Sequence, residues 1–339
     1  MVEGTLARHW ETLEGGDARC ELCPHTCRIG EGKRGICGIR VNRNGKLVAA
    51  GYGLYPAVHL DPIEKKPLNH FLPGSSILSL GSIGCNLSCR HCQNWSLSRE
   101  RPEGMEDYFI PPDLLVNKSL DRESIGVAFT YNEPTINFEY IMDVSPELRK
   151  RGAKVVLVTN GHLRQGPWKE LMEHTDGANV DVKGFSEEFY TKIVGGSFGT
   201  VLDNVKTSVD MGVHTEIAYL VIPGHNDDEK QIKGFIDWVL SELHDQVPVH
   251  FNRFHPDHKM LDVPPTPQRT LMNARETAME MGSKHVFIGN IVGSSFNDTY
   301  CPGCGKRIIV RSMFNIRSKI TEDGRCPFCH TSVYGVWRT

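Results

Sequence analysis

The chain has 339 residues, 39% of them hydrophobic and 23% charged, with a formal net charge of −3. That balance excludes a disordered or collagen-like chain and argues against a protein held on nucleic acid by a broad basic face. No apolar run approaches the roughly 18 residues of a membrane span. Met1-Val2-Glu3-Gly4 opens neither a basic nor an apolar stretch, so a cytoplasmic protein without a secretory signal is expected.

In chain order, four cysteines come first, as Cys20-x2-Cys23-x3-Cys27-x9-Cys37. Residues 38–41 and 46–49 then flank Asn44-Gly45, the dipeptide best suited to a two-residue turn, which predicts a β-hairpin. Residues 62–73 form a polar, proline-punctuated connection. From about residue 76 short apolar strands alternate with longer amphipathic segments. Strands are expected at 77–80, 126–130, 154–159, 179–182, 216–222, 249–253 and 285–288, with helices at 228–243 and 268–281. Such alternation implies parallel strands joined by helical crossovers. Polar or glycine-bearing clusters follow the strands directly: 85–92, 131–134, 160–161, 181–183 and 223–225. In a parallel barrel the C-terminal strand ends meet on one face, where such folds carry chemistry. The expected fold class is therefore α/β, a partial parallel (β/α)6 TIM-like barrel over 76–295. An N-terminal four-cysteine module with a hairpin (1–75) precedes it, and a zinc-ribbon-like module (296–339) follows.

Eleven cysteines in a chain without an export signal point to metal or redox chemistry rather than a disulfide framework. Three groups account for all of them: Cys20, Cys23, Cys27 and Cys37; Cys85, Cys89 and Cys92; Cys301, Cys304, Cys326 and Cys329. The outer groups can each close a four-coordinate site, and the middle group is one ligand short. A structural zinc site takes four protein ligands. His91 is adjacent to Cys92 and poorly placed for a second corner of one tetrahedron, and core packing calls for no such thiol triplet. The spacing favours an iron–sulfur cluster with three irons held by thiolates and a fourth open.

Cys85-x3-Cys89-x2-Cys92 in a loop after the first barrel strand resembles the signature of radical S-adenosylmethionine enzymes, with Gly81 and Gly84 suited to a tight loop. The resemblance implies a [4Fe–4S] cluster whose open iron is chelated by the methionine amino and carboxylate groups of S-adenosylmethionine. It also implies a one-electron reductant and cleavage to methionine and a 5′-deoxyadenosyl radical. Other positions resemble the pyruvate formate-lyase activating enzyme-like branch. Glu133 of Tyr131-Asn132-Glu133-Pro134 stands where that branch has Gly-Gly-Glu-Pro; Asn160-Gly161 resembles its Thr-Asn-Gly turn; Asp181 and Lys183 resemble its Asp-x-Lys. The resemblance implies Glu133 for the cofactor ammonium and Asp181 and Lys183 for ribose and carboxylate, with Asn160 beside them. His250, placed at the end of the sixth strand, is a further candidate for the cofactor carboxylate. Plainer roles exist: Glu133 as a helix cap, Asp181/Lys183 as a solvated ion pair. His255 and His258 read as surface or packing residues.

Residues 20–24, 61–68, 253–256 and 288–290 resemble, more closely, the radical enzyme of the AmmeMemoRadiSam system, which implies Memo-like partner proteins or a protein substrate. The C-terminal cysteines form paired knuckles suited to structural zinc, in a locally basic segment. The N-terminal four suit zinc or an auxiliary iron–sulfur cluster in ligand type, and a metal-stapled structural module is the reading expected of them. The function expected is an oxygen-sensitive radical oxidoreductase acting on a protein or small molecule. A glycyl-radical enzyme activase is the narrower version, and a scaffold organised by zinc in all three groups is the rival.

Overall fold

The computed structural model describes residues 4–119, 123–291, 295–312 and 315–338. Its centre is one sheet of eight strands: β1 (Ala57–Pro62), β2 (Ser76–Gly81), β3 (Gly126–Thr130), β4 (Lys154–Thr159), β5 (Gly177–Asp181), β6 (His214–Val221), β7 (Val249–Arg253) and β8 (Val286–Gly289). Each strand pairs with the next in sequence. β2 to β8 are parallel, and β1 runs antiparallel on the outer side of β2. The six crossovers carry helices α1 (Pro112–Lys118), α2 (Phe138–Lys150), α3 (Gln165–Met172), α4 (Phe198–Asp210), α5 (Glu229–Glu242) and α6 (Gln268–Met281). Six β/α units thus run on to a seventh parallel strand. Among the described residues no pairing joins β1 to β8.

The inner strands are buried along nearly their whole length, as expected where helices cover one face and a packed interior the other. All five residues of β3 are buried, and Val155, Val156 and Leu157 of β4 have no exposed surface. Burying each such side chain contributes roughly 1.5–3 kcal/mol. The helices start where the sequence offers caps: Asp228 accepts from the Gln231 backbone N–H at α5, and Ser197 does so from Thr200 at α4. The Asn44-Gly45 hairpin forms with both turn residues at positive φ, 55° and 72°, joining Arg40–Arg43 to Lys46–Ala49.

β1 is the strand that the pattern does not signal. Val58, His59 and Leu60 all face solvent, so no alternation marks it, and Pro62 closes it. Ahead of it, two small antiparallel sheets carry the N-terminal cysteines. They dock on α2 through Arg40, whose guanidinium is buried against Glu139. Glu139 also accepts from the Arg8 backbone N–H at 2.6 Å.

Residues after β8 return beneath the N-terminal strand ends. Val336 bridges to Phe71, the Leu72 N–H donates to the Val336 carbonyl at 2.7 Å, and the Val336 N–H donates to that of His70 at 2.8 Å. Phe71 itself fills the floor of the sheet with Ile77, Ala128 and Val156. Among the described residues no helix is long and apolar enough to cross a membrane.

Candidate cluster and cofactor site

The loop after β2 carries Cys85, Cys89 and Cys92 and is pinned from three directions. Asn132 donates to the Gly84 carbonyl at 2.8 Å and accepts from the Ser82 N–H at 3.1 Å. Asn86 donates to the His162 carbonyl and accepts from the Asn160 amide. The Ser88 and Arg90 N–H groups donate to the carbonyls of Val194 and Ile193. Two glycines make the fit possible. A Cβ at Gly84 (φ 79°) would collide with the Cys37 carbonyl, and one at Gly195 (φ 78°) with the Ser88 hydroxyl.

These thiols open on a cavity of about 200 Å³ at the C-terminal strand ends. Glu133 and Asn160 line it from just after β3 and β4, and Asp181 and Lys183 from the end of β5. Seven of the eight residues expected at the cluster and cofactor are therefore brought together; His250 is not. It is the second residue of β7 rather than the last, which puts it at the opposite, N-terminal end of the sheet. There its Nε2 lies 2.6 Å from Glu216 in a buried cluster. The β7 residue that reaches the cavity is Asn252, joined by Asn290 from after β8. His255 is exposed, and His258 stacks on Trp95 with ring centroids 5.5 Å apart.

Glu133 is buried, and both its oxygens are engaged. Oε1 accepts from the Thr135 N–H, the Thr135 hydroxyl and the Thr159 hydroxyl at 3.0, 2.6 and 2.7 Å; Oε2 accepts from the Asn160 N–H at 2.7 Å. The residue caps the turn at 134–137 and lines the cavity at once. Burial raises its pKa against the pull of these donors. One lone pair of Oε2 is left for a further donor. Lys183 forms a 2.7 Å ion pair with Asp181. Burial works to lower the Lys183 pKa, but Asp181 and the thiolates of Cys89 and Cys92 raise it further than burial lowers it, so it stays cationic. Burial first, then the Glu133 charge and the neighbouring thiols, pushes Cys85 well up, and Cys89 rises to about 11. Three such thiols become thiolates once cationic metal is bound.

Tyr131 was not among the expected site residues. It stands where the resembled branch has glycine, and it keeps a glycine's backbone, with φ at 71°. A tyrosine in that region costs about 1–2 kcal/mol. Its side chain supplies the compensation. The hydroxyl donates to Asp61 at 2.5 Å, Lys66 lies 4.5 Å above the ring, and Lys66 pairs with Asp61 at 2.8 Å. The 61–68 segment thus supports the cavity wall from β1.

Residues 80–236 match the Radical SAM superfamily. Over that segment the chain is similar to the superfamily. An uncharacterized protein of Methanocaldococcus jannaschii is 40% identical over 325 residues, 95% of this chain and 97% of that protein. A pyruvate formate-lyase-activating enzyme of Clostridium pasteurianum is 23% identical over 193 residues, 53% of this chain and 80% of its own. Among solved structures, SuiB of Streptococcus suis bound to S-adenosylmethionine superimposes with a TM-score of 0.51 at 12% identity, covering 67% of this chain and 53% of that one. A radical SAM methyltransferase of Sphaerobacter thermophilus gives 0.51 at 13%, covering 64% and 67%. These structures share the fold.

The superfamily implies a [4Fe–4S] cluster and S-adenosylmethionine. The residues present fit both. Three cysteines share one pinned loop beside a cavity, and both ring nitrogens of buried His91, which lines it, lack a partner among the described residues. A carboxylate with a free lone pair and an ammonium paired to a carboxylate face the same space. The C-terminal cysteines form a second candidate metal centre. Cys301 and Cys329 have sulfurs 3.5 Å apart, Cys304 and Cys326 3.8 Å, and all four lie within 4.8 Å of one another.

Proposed function

We propose that this chain is a radical enzyme in which Cys85, Cys89 and Cys92 hold a [4Fe–4S] cluster and Glu133, Asn160, Asp181 and Lys183 hold S-adenosylmethionine. When bound and reduced by one electron, this pair supplies homolysis of the sulfonium to methionine and a 5′-deoxyadenosyl radical, which abstracts hydrogen from a protein or small-molecule substrate. The observation that carries the reading is the convergence of those seven side chains on one cavity at the C-terminal strand ends.

The division of labour follows from the chemistry of each group. Glu133, held by four donors, has Oε2 free to accept from an ammonium, and such a charge-assisted bond is stronger than a neutral one. Lys183 offers a cation to a carboxylate, with Asp181 fixing its direction and free to accept from ribose hydroxyls. Asn132 and Asn86 keep the cysteine loop in register, and the flanking barrel limits water at the reacting bond.

The finer assignments belong to the same reading. The sheet acts as a partial barrel (76–295) between a four-cysteine module (1–75) and a zinc-ribbon-like module (296–339), in a cytoplasmic oxidoreductase close to the radical enzyme of the AmmeMemoRadiSam system. That kinship suggests a Memo-like partner beside the reductant. Similarity to pyruvate formate-lyase-activating enzymes supports a second reading, a glycyl-radical activase; its mark is a new glycyl radical on a partner protein.

Anaerobically reconstituted protein with S-adenosylmethionine and dithionite should form 5′-deoxyadenosine, and the Cys89→Ala variant should form none. Wild-type protein that takes up zinc but no iron under these conditions would overturn the reading.

A further inference from the structure

We propose that Cys20, Cys23, Cys27 and Cys37 ligate an iron–sulfur cluster. Sulfur spacing separates the three cysteine groups. One zinc ion bonded to thiolates at about 2.3 Å holds them roughly 4 Å apart, because all four occupy one tetrahedron. A cluster spreads its thiolates, because they ligate different irons. The C-terminal four have the spacing of a single-ion site. Among the described residues, no three sulfurs of the N-terminal group lie within 4.8 Å of one another, and neither do those of Cys85, Cys89 and Cys92. The N-terminal group has the wider arrangement. The match to the middle group rests on the cluster proposed there.

The four nevertheless form one site. The Cys20 N–H donates to the Cys27 carbonyl at 2.9 Å, and the Thr26 N–H donates to that of Cys23 at 3.1 Å. A turn closed by the Gly38 N–H on the Gly35 carbonyl brings Cys37 back, and Gly35 lies against Cys27, where a Cβ would sit 3.6 Å from Sγ. Cys20, Cys23 and Cys37 are buried and Cys27 is half-buried. The buried guanidinium of Arg40 lies 3.8 Å from the Cys20 sulfur. An N–H aimed at sulfur, carrying a fixed positive charge, suits an anionic thiolate-ligated cluster.

Its position gives the site a purpose beyond stapling a small module. The Cys37 carbonyl rests on Gly84, the residue before Cys85, and Cys37 packs with Ile83 and Ile136. His25 shares a 2.7 Å hydrogen bond with the Asn86 carbonyl of the same loop. A one-electron group would thus abut the loop that carries the middle thiols.

The test uses the full chain with Cys85, Cys89 and Cys92 all changed to Ala, reconstituted anaerobically. It should retain about half of the wild-type iron, with acid-labile sulfide in equal number and an electron paramagnetic resonance signal on dithionite reduction. Adding Cys20→Ala and Cys23→Ala should remove that remainder. If that variant does not fold, the three-residue variant alone decides. Zinc in place of the remaining iron, or no metal beyond the C-terminal four cysteines, overturns the proposal. Failure of the middle cluster looks different: the three substitutions would then leave the wild-type iron unchanged.

Discussion

Each end of the sheet is organised around a buried carboxylate held by four donors, and the two ends could hardly differ more in what surrounds it. Glu133, at the C-terminal strand ends, is held by two hydroxyls and two backbone N–H groups and borders a cavity. Glu216, three residues into β6, is held by the N–H groups of Asn69 and His70 and by the rings of His214 and His250, with His70 and His285 close by. Burial raises the pKa of both. At Glu133 the neutral donors do not cancel that rise, whereas at Glu216 the bonds from His214 and His250 and their charge carry the pKa well below the usual range. The first carboxylate keeps a lone pair turned toward open space. The second is sealed under Arg311 and Tyr334. One end is left open on a cavity and the other closes the molecule.

Removing Glu216 attacks the sealed end most directly. Glu216→Ala leaves His214, His250 and two backbone donors buried without their acceptor, and a loss of about 3–5 kcal/mol is expected in denaturant unfolding. Cofactor affinity of the surviving folded protein should not change; a selective loss of S-adenosylmethionine binding would erase the contrast between the ends. Acid should strike the same place. Burial lowers His285 from its ordinary 6.5 to about 4, so the unfolded chain binds the proton that the folded one refuses. Stability from this residue is complete above pH 6.5 and is lost as pH falls toward 4. Glu216, with its lowered pKa, loses its own share lower still. Thermal unfolding of wild type against His285→Gln across pH 7 to 4 reads this slope, and parallel curves would refute it.

Arg311→Ala tests whether the C-terminal segment is held or merely adjacent. Arg311 donates to the carbonyls of Asn69 and Asn297 and to the Thr299 hydroxyl. Losing these should cost about 1–3 kcal/mol and expose residues 295–338 to limited proteolysis before the central sheet is cut. The smallest effect belongs to the open end. Tyr131→Phe removes the part-buried bond to Asp61, which keeps its pairs with Lys65 and Lys66, and should cost about 0.5–1.5 kcal/mol. It should also slow 5′-deoxyadenosine formation by loosening the wall beside Asn132, and an unchanged rate would show that the tyrosine serves stability alone.

What the sequence reveals follows the same division. The seven parallel strands, the Asn44-Gly45 hairpin and helices α5 and α6 are local signals, written in apolar runs, caps and a turn dipeptide. The cysteine loop and Glu133, Asn160, Asp181 and Lys183 each sit at a strand end, so a correct strand list places them together. His250 shows the limit of that inference. It is one residue past the start of the strand expected and found at 249–253, and placing it at that strand's end moves it across the whole sheet although the bounds themselves are right. Tyr131 and β1 escape for another reason. The positive φ of Tyr131 is held by Asp61 and Lys66, 70 and 65 positions earlier, and β1 is recognisable only by the edge it covers. Neither leaves a periodic trace.

The sealed floor also imposes an order on assembly. The ring of His70 is held by the Tyr334 carbonyl at 2.8 Å, 264 positions later, and Asn69 receives Arg311 from 242 positions away. Closing loops of that length is among the slowest ways to gain contacts. During synthesis the sheet's histidine-lined underside therefore stays uncovered until Arg311 and Tyr334 have been made. A nascent sheet of this design spends its first moments open to water at the end it will later keep driest, and chaperone dependence should concentrate there.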